Sequence, residues 1–136
     1  MQKKKTGSGF STGTTTLVAE GTHIKGDVHF SGNLEVEGEV TGNIIAEDDG
    51  EARVRILQKG HVKGDVKVPN IVINGKVEGT LYAQKHVELA AKAVVEGNVH
   101  YSLVEIEKGA QVNGSFVHET AQVVEMESSP AAQVDS

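Results

Sequence analysis

Residues Val87 to Val99 read VELAAKAVVEGNV, and two features of that stretch decide the fold. Val87 and Leu89 flank a single charged residue, so their side chains share a face only if the chain is extended, with inward positions at every second residue. Six residues beyond Leu89, Val95-Glu-Gly97-Asn-Val99 sets a glycine midway between two apolar residues. Glycine weakens a strand interior but reaches positive φ without steric cost, so here it marks a corner between two short strands. Outward from this stretch the apolar-x-Gly-x-apolar marker recurs as Ile24-Lys-Gly26-Asp-Val28, Val40-Thr-Gly42-Asn-Ile44, Val62-Lys-Gly64-Asp-Val66, Val77-Glu-Gly79-Thr-Leu81 and Val112-Asn-Gly114-Ser-Phe116. Each copy follows an apolar-x-apolar triplet: Leu34/Val36, Val54/Ile56, Ile71/Ile73, Val104/Ile106 and, imperfectly, Thr16/Val18.

Of the 24 inward positions so aligned, 23 are apolar, Thr16 being the exception; stacked coil on coil, they suffice for one continuous core. The steps from triplet to triplet are 18, 20, 17, 16 and 17 residues, the length of one solenoid coil. The reading is therefore all-β: a single-stranded parallel β-helix of about six rungs. Length varies at two places, which are expected to be corners. The link from triplet to marker is two residues shorter in the second and fourth rungs, and an insertion, Ala46 to Arg53, follows the second. After the marker glycine come Asp, Asn, Asp, Thr, Asn and Ser in successive rungs, small polar residues suited to turns and able to build a hydrogen-bonded ladder outside the coil.

The bulk numbers agree. A chain of 136 residues with 38% hydrophobic and 4% aromatic content has room for one domain with a narrow Val/Ile/Leu interior. Residues 1–15 are rich in Lys, Gly, Ser and Thr and residues 119–136 lack periodicity, so both are expected to be disordered, with the β-helix over 16–118. A net charge of −6 argues against a nucleic-acid partner, which needs a basic surface. The absence of cysteine and of an apolar signal stretch in MQKKKTGSGFSTGTTT leads us to expect a cytoplasmic protein.

Candidate chemistry is thin. His23 and His61 share an outward column but lie two rungs apart, roughly 10 Å at the spacing of paired strands; His29 and His100 share another column four rungs apart. His100 and His118 fall in adjacent rungs, and two ligands do not complete a zinc site. The acidic stretch Glu47-Asp-Asp-Gly-Glu51 lacks the alternating ligand spacing of a calcium loop. No phosphate loop or nucleophile elbow is present. We expect no catalytic residue, cofactor, metal or nucleotide. Lys25, Thr41, Lys63, Glu78, Glu96 and Asn113 form an outward column that turns from basic to acidic along the axis.

A stack of rungs ends in unpaired backbone and an open apolar cross-section unless a cap covers it, and neither flank carries an amphipathic helix. The ends are thus expected to dock on one another, and docking at both ends makes a filament. The six glycine-marked rungs, the triplets in LEVEG and VEIEKGAQVNG, the unequal spacing and the GAQVNGSF ending together resemble the bactofilins, bacterial cytoskeletal polymers, over Val18 to Phe116. The resemblance implies a right-handed β-helix, nucleotide-independent end-to-end filaments, and a scaffold for cell shape, polarity or cell-wall enzymes. It places the polymer contact on the terminal rungs, at Val18 and Ile24 on one end and at Val104, Ile106, Val112 and Phe116 on the other. It also suggests a membrane-targeting segment, for which Lys3, Lys4, Lys5 and Phe10 are the candidates at the inner-membrane surface. Two other classes compete. A trimeric hexapeptide-repeat acyltransferase would use a histidine base between subunits, but its strict six-residue steps are not seen; a monomeric binding solenoid would need the caps this chain lacks.

Overall fold

The chain runs as short extended segments joined by tight turns. The structure is a computed structural model that describes residues 15–47 and 51–118, and among these it contains eighteen short strands and no helix. They fall in threes, one triangular coil per rung. The first rung is β1 (Thr15–Val18), β2 (His23–Lys25) and β3 (Val28–Phe30); the second is β4 (Asn33–Val36), β5 (Glu39–Thr41) and β6 (Ile44–Ala46). The third comprises β7 (Arg53–Ile56), β8 (His61–Lys63) and β9 (Val66–Lys67), and the fourth β10 (Asn70–Ile73), β11 (Lys76–Glu78) and β12 (Leu81–Tyr82). The fifth has β13 (His86–Leu89), β14 (Val94–Glu96) and β15 (Val99–Tyr101), and the sixth β16 (Leu103–Ile106), β17 (Gln111–Asn113) and β18 (Phe116–His118).

Corresponding strands of successive rungs pair in parallel, giving three six-stranded sheets headed by β1, β2 and β3. The register follows the sequence alignment: Leu34, Val54, Ile71, Val87 and Val104 stand one above another, as do Val40, Val62, Val77, Val95 and Val112. All four inward columns are fully buried through the second to fifth rungs. β-Branched side chains suit this interior because each packs on its own kind directly above and below.

The marker glycines turn the second strand of each coil into the third. Gly42, Gly64, Gly79 and Gly97 adopt φ from 150° to 156°, and a Cβ on any of them would fall on the carbonyl oxygen of the marker glycine one rung below. The column is thus closed to side chains by backbone-on-backbone contact. Beside it runs the expected polar ladder. The Asn43 N–H donates to Asp27 Oδ1 at 2.9 Å, Asp65 N–H to Asn43 Oδ1 at 3.0 Å, Thr80 N–H to Asp65 Oδ1 at 3.1 Å and Ser115 N–H to Asn98 Oδ1 at 3.1 Å.

The length variations fall at corners, as the spacing predicts. The four longer links each close a turn: Thr22 N–H to the Ala19 carbonyl, Gly60 to Leu57, Ala93 to Ala90 and Ala110 to Glu107, all at 2.8–3.1 Å. The shorter second and fourth rungs cut this corner through Gly38 and Gly75. The insertion after the second rung lies between β6 and β7; its residues 48–50 are outside the described set, while Glu47 pairs with His29 at 2.9 Å and Glu51 with Lys85 at 3.6 Å.

Candidate assembly faces and surface chemistry

Each sheet has two edges, and the solenoid gathers them at its two ends. β1, β2 and β3 form one end and β16, β17 and β18 the other; among the described residues no strand pairs with their outer sides. Unpaired N–H and C=O groups on parallel edges template the addition of another strand. The two ends differ in their side chains. At the first, Val18 is only 4% exposed and Phe30 is buried, while Ile24 and Val28 are half-buried. At the second, Ile106 is 53% and Phe116 41% exposed, with Val104 and Val112 half-buried beside them. Of the five large hydrophobic side chains exposed among the described residues, three (Leu103, Ile106 and Phe116) belong to the sixth rung. Leu103 occupies an outward column, so the apolar surface wraps from the end of the coil onto its flank. Tyr101 packs edge-on to Phe116, with ring centroids 6.1 Å apart, which fixes the orientation of that ring.

The sequence assigns Val18, Ile24, Val104, Ile106, Val112 and Phe116 to the terminal rungs, and the structure places them there. Val18 has almost no accessible surface, so at the first end Ile24 and Val28 supply the partly exposed apolar surface. Lys3, Lys4, Lys5 and Phe10 lie outside the described residues, as do both tails apart from Thr15. Among the described residues no helix is long and apolar enough to cross a membrane.

The outward faces are charged and mostly self-compensating. The Lys25–Asn113 column is formed as read, but Lys63 pairs with Glu39 at 3.8 Å and Lys76 reaches Glu78 at 3.8 Å and Glu96 at 4.0 Å. His61 Nε2 lies 2.5 Å from Glu78 Oε2. That hydrogen bond, together with the Lys76, His61 and Lys63 charges, holds the Glu78 carboxyl below its ordinary value of 4.5 against the opposing effect of desolvation. The short corner at Gly38 leaves a groove between the projecting turns of the first and third rungs, lined by Glu20, His23, Glu37, Glu39, Lys59 and His61 and spanned by a Lys59–Glu20 pair at 3.2 Å. The other histidines go separate ways. His100 stacks on Tyr82 at 4.8 Å, whereas His118 hydrogen-bonds the Ser102 carbonyl at 3.1 Å. His86 faces Glu105 in the next rung.

A family model described as bactofilin, polymer-forming cytoskeletal, matches residues 16–117, the solenoid from its first inward position almost to the end of its last strand. The chain belongs to the bactofilin family. A curated relative, bactofilin BacO of Myxococcus xanthus (strain DK1622), is 26% identical over 100 residues, covering 74% of this chain and 76% of that protein. No solved structure matches. Membership in a cytoskeletal, polymer-forming family disfavours the acyltransferase reading.

Proposed function

We propose that this bactofilin is a structural cytoskeletal protein of the cytoplasm whose solenoids join end to end into filaments without nucleotide. The carrying observation is the concentration of exposed apolar side chains on the sixth rung, next to three parallel strand edges that no strand among the described residues pairs with. Covering a side chain such as Ile106 or Phe116 contributes about 1.5–3 kcal/mol, and continued strand pairing satisfies the edge amides and carbonyls at the same time. The partner is a second copy of the chain, with Val104, Ile106, Val112 and Phe116 at one contact and Ile24, at the rim of Val18, at the other. Nucleotide independence is supported by a sequence without a phosphate-binding loop.

The test is a charge at the face. Phe116→Arg or Val112→Arg gives a folded protein that sediments as a small particle under conditions in which the wild type pellets; a variant that pellets with the wild type removes the contact from this end. A filament also multiplies weak contacts. The arm carrying Lys3, Lys4, Lys5 and Phe10 then holds the polymer at the anionic inner face of the membrane, each lysine contributing about 1 kcal/mol near such a surface. Deleting residues 2–10 abolishes co-sedimentation with anionic vesicles on this reading, and unchanged co-sedimentation contradicts it. Positioned so, the filament serves as a scaffold for cell shape, polarity or cell-wall-modifying enzymes.

A further inference from the structure

The outward face of the β1-headed sheet contains one unbalanced spot. Along β13, His86 and Glu88 are two residues apart and point to the same side, and Glu105 on β16 is the register partner of Glu88. Like charges directly opposite on neighbouring strands are destabilising. Elsewhere on this face the same column solves the problem with an opposite charge: Glu35 faces Arg55, which donates to it at 3.4 Å. Between the fifth and sixth rungs no such partner is supplied. Among the described residues Glu88 has no hydrogen bond or ion pair, and Glu105 has only His86, whose Nε2 lies 3.2 Å from its Oε1. The nearest lysine in sequence, Lys85, is engaged by Glu51.

We propose that His86, Glu88 and Glu105 form a binding site for a divalent transition-metal ion such as Zn2+. One ligand atom from each of the three lies within 4.8 Å of the others. Ligand atoms around a tetrahedral ion with bonds of about 2.1 Å are about 3.4 Å apart, a closure that rotation of the two glutamate side chains supplies without moving the strands. One imidazole and two carboxylates are a donor set for zinc and its neighbours rather than for magnesium or calcium, and remaining positions are filled by water. The ion neutralises the Glu88–Glu105 opposition and ties β13 to β16. It therefore fastens the last rung, the one that carries Ile106 and Phe116, to the body of the coil. This inference stands on the register and the charges alone and does not require that the chain polymerise.

The experiment is equilibrium dialysis of the full chain, stripped with chelator, against Zn2+, alongside His86→Gln, Glu88→Gln and the control His23→Gln. We expect one ion per wild-type chain, at least tenfold weaker uptake in His86→Gln and in Glu88→Gln, and wild-type uptake in His23→Gln. Hydrogen exchange supplies the second readout: Zn2+ slows the β16 amides of the wild type and leaves those of Glu88→Gln unchanged. Glu88→Gln is nearly isosteric and removes a repulsion, so without metal it melts no lower than the wild type; loss of uptake in a folded protein is thereby separated from unfolding. Absence of uptake by the wild type, or wild-type uptake by either site variant, overturns the proposal.

Discussion

Gly79 shows how a single residue can be fixed by its neighbours above and below. Its φ is 156°, and a Cβ there would overlap the Gly64 carbonyl oxygen. Gly79→Ala therefore combines an unfavourable backbone conformation with a clash that no side-chain rotation relieves, and we expect a loss of at least about 1–3 kcal/mol in urea denaturation; an unchanged midpoint contradicts the closed glycine column. Glu78 gives the pH dependence. Its carboxyl titrates below 4.5 in the folded protein because of its bond to His61 and the lysines around it. A depressed carboxylate stabilises the fold fully above the unfolded value, and that contribution is lost as pH falls from there through the folded value. Glu78→Gln should accordingly flatten the fall in melting temperature below pH 4.5 and leave the curve above it parallel to the wild type; identical acid limbs would show that Glu78 does not contribute.

At the scale of the strands, the core positions divide into those the sequence announces and those it conceals. Four inward columns were legible because each repeats Val, Ile or Leu at fixed distances from a glycine. A fifth was not: Phe30, Ala46, Val68, Ala83 and Tyr101 follow two residues after the third-strand column, at the strand end or just beyond it, and Phe30, Val68 and Ala83 are buried. Beside a corner the coil width is not constant, so side chains from alanine to phenylalanine fit and no residue type repeats. The corner turns could be read from spacing alone, since two extra residues are what a closed turn adds. The His86–Glu105 contact is not legible in the sequence because it joins residues 19 apart whose approach depends on the register of β13 on β16. Burial predicts the energetics of these strands. Ile71 is fully buried between rungs, and Ile71→Ala should cost about 2–5 kcal/mol. Ile106, with half its surface free, should lose less than half as much on the same truncation in the same denaturation assay. With both truncations made in the non-assembling Phe116→Arg background, equal losses would show that the sixth rung is covered within its own chain.

For the whole molecule, the decisive property is that the apolar columns reach the last described rung with no further rung stacked on them among the described residues. Rungs two to five are sealed by the rungs on either side, and the sixth presents the same Val, Ile and Phe columns with nothing stacked beyond them among the described residues. The sequence already located these residues on the terminal rungs; the difference between the ends was not legible, because the burial of Val18 and Phe30 depends on how the first coil folds around them. The sixth rung accordingly exposes more apolar surface at its end than the first. Electron microscopy of the purified wild-type chain in nucleotide-free buffer tests this most directly. The account predicts unbranched filaments no wider than one or a few solenoids, and single particles that persist at high protein concentration would contradict it.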